Sequence, residues 1–349
     1  MEGGGAKVVM LTGSVLLLLP VVVFVTCFMF WPGRLIKAYN WFWRRRLGLS
    51  VRFCDVGSFR FCYWTRGTPG GAPSLLLLHG FSANKDMWLP VVKFLPGQYH
   101  VVCLDLPGHD GTSRFQNEDY SINGQVSRIH QFVHTLGLTR FHLVGASMGG
   151  NLAGVYAARF PEDLSSVTMV CPAGLETLQD TDFVKRLKEM ETQRNQDQDQ
   201  DQDQREDQSI ALIPTSVPQL QEMLNLCCYK PLNLPTQMKK GLLQNRLPHT
   251  TFYRHLFECI SAEDSRHSLE KNLHLISVPV QVVWGQQDQV LHVSGASVIT
   301  AALPHSQVEL LENCGHSVAL ERPRKLATLI SNFLSAQEVT HGNAHKKNS

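Results

Sequence analysis

Two stretches of the chain, residues 51–174 and 273–338, alternate short apolar runs with segments of helical periodicity. Leu75–Leu78, His100–Leu104, Phe141–Val144, Val280–Trp284 and Val308–Leu311 are runs of four or five mostly apolar residues. They are too short for helices and lack the polar alternation of a half-exposed strand, so they read as strands covered on both faces. Strands that alternate with helices predict an α/β fold built on a mostly parallel sheet with helices on both faces. Between residues 175 and 272 the strand rhythm stops. Helical patterns take its place at Phe183–Met190, Leu220–Leu226, Met238–Leu243 and Thr251–Ile260. A helical insertion at this point of such a sheet sits over the strand ends as a cap. Leu212, Ile213, Met223, Leu226, Leu242 and Phe257 are candidates to line an apolar channel beneath it, and the cap's own core is the competing use for most of them. Within the insertion, residues 195–208 alternate Gln and Asp. That run has nothing to bury, so it is expected to be a disordered loop, and it lacks the glycine turn and terminal Glu of a calcium-binding loop.

The N-terminus has a different character. Residues 8–31 carry no charge, and a helix of that length reaches about 36 Å, enough to cross a hydrocarbon core of roughly 30 Å. The run exceeds the core of a cleavable signal peptide, and no small-residue cleavage site follows it. Pro20 is tolerated in a lipid-embedded helix. Residues 32–50 then interleave Arg34, Lys37, Arg44, Arg45 and Arg46 with aromatics (Tyr39, Trp41, Phe42, Trp43) that continue from Trp31. Such a segment belongs at headgroup level, although packing on the domain is an equal alternative for the aromatics. The excess of positive charge after the span places the globular part in the cytosol. The chain also lacks any N-x-S/T glycosylation sequon. Residues 339–349 are expected to form a flexible tail.

Composition narrows the function. Thirty-two basic and 30 acidic side chains leave a net charge of +2, which gives no footprint for nucleic acid. Nine cysteines without a C-x-x-C pair read as free thiols in a reducing compartment. His130 and His134, one helical turn apart, have a spacing that can bind metal, but no third ligand lies near them in sequence. A packed or solvated helix face is the better reading, and no metal is expected.

The chemistry concentrates at strand ends. Gly145-Ala146-Ser147-Met148-Gly149 follows the strand Phe141–Val144 and precedes a helical segment. A G-x-S-x-G sequence in that context is a nucleophile elbow, which exposes Ser147 on a sharp turn. The strand Leu75–Leu78 ends in His79-Gly80-Phe81. The N–H of Phe81 there is a candidate to join that of Met148 in an oxyanion hole. His79 itself reads as a packing and hydrogen-bonding residue. Two further strands deliver Asp288 and His316. The order Ser147, Asp288, His316 is that of a triad mounted on successive strand ends, with His316 as base and Asp288 holding its tautomer. Asp105, which precedes the nucleophile, reads as a structural carboxylate. None of this chemistry requires a metal or organic cofactor.

The segments LLLLHGFSANKDMW, LDLPGHDGTS, LVGASMGG, VVWGQQDQVL and LLENCGHSVALERPRK resemble those of α/β-hydrolases. Together with the N-terminal segment they are similar to the membrane-anchored monoacylglycerol lipases of that family, from about Val8 to the late 330s. The resemblance implies an α/β-hydrolase fold with a helical cap and a transmembrane helix. It places the nucleophile on Ser147, the acid on Asp288, the base on His316 and the oxyanion donors on Phe81 and Met148. By the same resemblance the substrate is a monoacylglycerol or another singly acylated lipid such as a lysophospholipid. The partners are the bilayer and membrane proteins, and the location is an endomembrane such as that of late endosomes or lysosomes. Gly108-His109-Asp110-Gly111 departs from the plain Gly-His-Gly of many members. Two rival readings remain. One is another esterase or a carbon–carbon bond hydrolase of the same fold, whose elbow also reads Ser-Met-Gly-Gly. The other is a membrane-protein interaction scaffold that keeps the fold without relying on its chemistry.

Overall fold

The computed structural model describes residues 18–70, 74–196 and 210–347. The first part of the expected span, residues 8–17, and most of the Gln/Asp run lie outside the described residues.

Eight strands form one sheet: β1 (Ser50–Val56), β2 (Phe59–Arg66), β3 (Ser74–Leu78), β4 (His100–Leu104), β5 (Phe141–Ala146), β6 (Leu164–Val170), β7 (Val280–Gly285) and β8 (Gln307–Leu311). Their spatial order is β1-β2-β4-β3-β5-β6-β7-β8. From β4 and β3 through β8 every pair is parallel, whereas β1–β2 and β2–β4 are antiparallel. The sheet is therefore mixed at one edge. The hairpin between β1 and β2 turns on Gly57, at φ +60°, and Ser58, with Val56 paired to Phe59. Only a residue without Cβ adopts that φ freely, and the dipeptide Gly-Ser between two apolar segments was the available signal for a tight hairpin.

Fourteen helices accompany the strands among the described residues: α1 (Leu18–Phe30), α2 (Pro32–Arg46), α3 (Leu89–Val92), α4 (Ile122–Leu136), α5 (Met148–Arg159), α6 (Asp182–Gln196), α7 (Val217–Cys227), α8 (Thr236–Arg246), α9 (Thr250–Ser261), α10 (Glu263–Arg266), α11 (Ser268–Asn272), α12 (Gly295–Ala302), α13 (Val318–Glu321) and α14 (Pro323–Lys347). The local rules are visible in α4. Ser121 Oγ accepts the N–H of Gly124 at its start, Gly137 ends it at φ +64°, and Ile122, Val126, Ile129, Phe132 and Val133 form its buried face. These are an N-cap, a left-handed stop and an apolar stripe of helical period. In contrast, α5 is buried on all sides from Met148 to Ala157, as a helix enclosed between sheet and outer helices must be.

The core is continuous through Leu75–Leu78, Val101–Leu104, Phe141–Val144 and Val282–Trp284, all at 0–1% exposure. One polar line crosses it. His142 on β5 bonds to Ser166 Oγ (2.6 Å) and Thr168 Oγ1 (2.9 Å) on β6. Thr168 donates to Gln281 Oε1 on β7, and Gln281 donates to the carbonyl of Leu329 in α14. Complete pairing makes such a buried network tolerable. Burial pushes the His142 imidazole down to about 3, so it is neutral and shares its ring nitrogens with the two hydroxyls.

At the N-terminus α1 and α2 meet at Trp31 with a bend of 118°. No single described helix is long and apolar enough to cross a membrane, although this bent pair reaches the length and composition of a span together. Pro32 opens α2, which accounts for the break, because proline has no N–H to continue the ladder of α1. The break rests on α8. Gln237 Nε2 donates to the carbonyls of Phe28 and Met29, Gln244 Oε1 accepts from Gly33 N, and Asn245 Nδ2 donates to Gly33 O. These side chains satisfy backbone groups that a helix break leaves open. The contact is close enough that a Cβ on Gly241 would come within 2.7 Å of the Pro32 carbonyl carbon. Of the aromatics of α2, Tyr39, Trp41 and Phe42 are exposed, whereas Trp43 packs against the core and Lys93 sits over its ring. Packing on the domain therefore applies to Trp43, and Tyr39, Trp41 and Phe42 do not pack on the core.

Candidate active site

Ser147 is the residue between β5 and α5, at φ +57° and ψ −120°. That conformation is costly for a residue with a Cβ and is kept only when its surroundings enforce it. Here the enforcement is backbone. Ser147 N donates to the Val170 carbonyl (2.9 Å), and its own carbonyl accepts from Gly150, Asn151 and Ala173. Two glycines admit the turn. A Cβ on Gly149 would lie 2.5 Å from the carbonyl oxygens of Leu78 and His79, and one on Gly145 would run into the Gly149 carbonyl. Met148, the first residue of α5, contributes one of the helix N-terminal amides that have no intrahelical acceptor.

Asp288 follows β7 and is buried. Its Oδ1 accepts the N–H groups of Val290 (2.8 Å) and Leu291 (2.9 Å), and its Oδ2 accepts Trp284 Nε1 (3.2 Å) and His316 Nδ1 (2.7 Å). Four donors fix the carboxylate and, through it, the His316 ring. His316 follows β8, on a loop pinned by Ser317 N donating to the Cys227 carbonyl. With Nδ1 engaged by Asp288, His316 presents Nε2 as its remaining ring nitrogen. β5, β6, β7 and β8 are consecutive neighbours, so Ser147, Asp288 and His316 all emerge at the carboxyl end of the sheet.

Phe81 and Met148 line the same cavity as Ser147. Its volume is about 1280 Å³, and Leu175, Phe183, Leu187, Ile210, Leu212 and Phe257 contribute apolar walls. Of the six residues expected from the sequence to line an apolar channel, Leu212 and Phe257 do so. Ile213 is instead buried in the core, and α6 supplies wall residues that the sequence reading passed over. Ion pairs Lys188–Asp180 (2.7 Å) and Arg266–Glu191 stand among the cavity's lining residues, so its boundary has polar as well as apolar parts.

Several groups around the site were not singled out by the sequence. Arg246, the last residue of α8, donates to Ser82 O (3.1 Å), Ser82 Oγ (2.5 Å) and the Leu212 carbonyl (3.1 Å). It thereby ties the cap to the loop after β3, where Ser82 sits at φ +53°. Lys85 is buried between Asp105 (2.5 Å) and Asp110 (3.1 Å). Burial works against its ammonium, but the two carboxylates outweigh it and raise its pKa. Burial raises the Asp105 carboxyl to about 6 against the pull of Lys85, so the pair is ionised at neutral pH. Asp105 is structural in this arrangement, and Asp110, the departure from Gly-His-Gly, serves as the second counter-ion. Cys171 has its sulfur within 4.8 Å of the Asp288 and His316 ligand atoms. Burial, and then the Asp288 charge, push its thiol far up, so it is protonated and inert as a nucleophile. His79 packs as expected: Nδ1 bonds to the Gly80 carbonyl, Nε2 accepts Leu106 N, and burial lowers it to about 4.

A serine on a strained strand-to-helix turn, with an aspartate-oriented imidazole delivered by the neighbouring strand ends, defines a serine hydrolase. Residues 73–323 match the alpha/beta hydrolase fold family, and the chain belongs to it. The chain is 52% identical over 329 residues to monoacylglycerol lipase abhd6-A of Xenopus laevis, covering 94% of both proteins. It is likewise 52% identical to monoacylglycerol lipase ABHD6 of Homo sapiens, again over 94% of each. Among solved structures it is similar to a bacterial membrane phospholipase A, with a TM-score of 0.79 at 31% identity, covering 94% of this chain and 98% of that one.

Proposed function

We propose that this hydrolase cleaves monoacylglycerols to fatty acid and glycerol, with Ser147 as nucleophile, His316 as general base and acid, and Asp288 as the group that orients His316. The observation that carries the reading is the position of Ser147 in a cavity with apolar walls from the cap, at 52% identity to monoacylglycerol lipases over nearly the whole chain. In this mechanism His316 takes the hydroxyl proton as Ser147 attacks the ester carbonyl. The N–H groups of Phe81 and Met148 receive the oxyanion, and His316 returns the proton to the departing glycerol oxygen. Water then releases the fatty acid from the acyl-enzyme by the same steps. Each methylene in the cavity contributes about 0.8 kcal/mol, which favours a long acyl chain over a short one.

The exposed apolar α1 and the basic, aromatic α2 support attachment to a bilayer with the catalytic domain on the cytosolic side of an endomembrane. Lysophospholipids are a second substrate class of the same shape. A carbon–carbon bond hydrolase acting on small polar acids would gain little from such attachment. A purely scaffolding role would leave the elbow and its oriented histidine without purpose.

The test is a side-by-side assay of monoacylglycerol, diacylglycerol, triacylglycerol and a short-chain ester with the full-length protein in detergent. Highest kcat/KM on the long-chain monoacylglycerol is expected. Equal or greater kcat/KM on triacylglycerol or on the short ester overturns the substrate. Absence of labelling of Ser147 by a fluorophosphonate overturns the mechanism and favours the scaffold.

A further inference from the structure

The face of the molecule at the far end of α5 gathers three ligand-type side chains. His130 and His134 stand one turn apart on α4, and their Nε2 atoms are 3.0 Å apart. The sequence supplies no third ligand near them, but the fold does. The short turn Pro161–Asp163 that follows α5 brings Asp163 Oδ2 to 3.5 Å from His130 Nε2. All three atoms lie within 4.8 Å of one another. Zinc bonds of about 2.0–2.1 Å at tetrahedral angles hold ligand atoms about 3.3 Å apart, and the two resolved separations bracket that spacing.

We propose that His130 Nε2, His134 Nε2 and Asp163 Oδ2 form a binding site for a divalent transition ion of the zinc type, clamping α4 to the end of α5. Three further features fit this role. The His130 ring is stacked on Phe160 with centroids 3.6 Å apart and planes 9° from parallel, so its nitrogen is aimed before any ion arrives. The Tyr156 hydroxyl donates to Asp163 Oδ2 at 2.6 Å, the outer hydrogen bond that orients a ligating carboxylate. The Asp163 side chain is only 11% exposed, and no lysine or arginine among the described residues pairs with it. A divalent ion would supply the cation that this carboxylate lacks. In the metal-free protein the two Nε2 atoms share one hydrogen bond, which an ion replaces by taking both lone pairs. His134 is exposed and leaves a solvent side for entry and for a water in the fourth position.

Ser147 and this site stand at opposite ends of α5, a separation of about 18 Å for a helix of that length. The ion therefore takes no part in ester cleavage. Its effect is to tie α4 to the turn that leads into β6.

The experiment uses the full-length protein in detergent, stripped with a chelator and titrated with Zn²⁺ or Co²⁺. Zn²⁺ is expected to raise the unfolding midpoint reversibly. Co²⁺ is expected to give the visible d–d absorption of a low-coordinate nitrogen and oxygen site, without the near-ultraviolet band of a thiolate ligand. In His134→Gln, and separately in Asp163→Asn, the apparent Kd for Zn²⁺ should rise by at least about 100-fold, the upper end of what losing even an outer partner costs. Esterase activity of the metal-free variants should match that of the metal-free parent. His134→Gln changes an exposed side chain, so its result does not depend on rescuing the fold. An equal Zn²⁺ response in parent and His134→Gln, a thiolate band, or no stabilisation of the parent would each overturn the site.

Discussion

Around Ser147 the chain is fixed by backbone against backbone, whereas α8 of the cap takes its hydrogen bonds to the rest of the molecule from side chains. At the elbow, Gly145 and Gly149 leave no room for a Cβ, and the carbonyls of Val170 and Ser147 itself hold the turn. In the cap, by contrast, α8 is anchored by Arg246 to Ser82 and Leu212, and by Gln237, Gln244 and Asn245 to the break between α1 and α2, with Gly241 as the one point of close backbone approach there. Backbone contact gives a single geometry with little tolerance. Side-chain contact gives a piece that can shift with its partners, and here those partners include both the loop behind Phe81 and the segment expected to meet the membrane. The division suits a hydrolase that needs a rigid nucleophile and a roof able to admit a long acyl chain.

That contrast can be broken at several points. Ser147→Ala should lower turnover by roughly 10⁶-fold with the fold intact, and Asp288→Asn by about 10⁴-fold. Steady-state kinetics beside a melting curve checks both, and Ser147→Ala within tenfold of the parent would remove Ser147 from the mechanism. Gly149→Ala tests the backbone side. With its Cβ 2.5 Å from two carbonyl oxygens, it should cost about 1–3 kcal/mol as an overpacking change and abolish most activity. A neutral result in urea unfolding would show that the elbow yields more than its geometry implies.

Acid should act on the core rather than the cap. His79 and His142, lowered to about 4 and 3, and His109, lowered well below the ordinary value by burial and then by His79, are folded neutral. Above the unfolded value of about 6.5 their stability contribution is complete. It is lost as pH falls from there toward the folded values. Asp105, raised to about 6, opposes this, since it binds its proton more tightly when folded. The net expectation is uptake of about two protons on unfolding at pH 5, read from the pH dependence of the urea midpoint. Uptake near zero would contradict it.

The side-chain half of the comparison should respond less steeply. Arg246→Met frees the Ser82 loop, and with it Phe81, from the cap. We expect kcat to fall about 10- to 100-fold, below the full cost of an oxyanion donor, with slower fluorophosphonate labelling and a small change in melting. Unchanged labelling would show that the loop after β3 holds itself. The smallest effect belongs to the Gln/Asp run. Deleting Gln196 to Gln204 should leave activity within about threefold, because loop closure costs only about 0.6 kcal/mol per doubling of length. Loss of membrane esterase activity would mean that the run orders the cap.

The sequence by itself determined the parallel sheet, the elbow and the order of Ser147, Asp288 and His316, because these depend on local constraints. A strand buried on both faces must be apolar throughout, and a turn at positive φ packed against carbonyls must be flanked by glycine. The helices of the cap were legible for the same reason, from their apolar period. Tertiary structure alone decided which cap residues face the cavity, since Leu212 and Ile213 are adjacent in the chain and only the first lines it. It also decided that Arg246 is bound to Ser82, that Asp110 shares Lys85 with Asp105, and that Asp163 completes a triad with His130 and His134. Each of these pairs residues 20 or more positions apart, and no local rule of spacing reaches that far. Such contacts arise where elements already fixed by their own patterns happen to bring their side chains together.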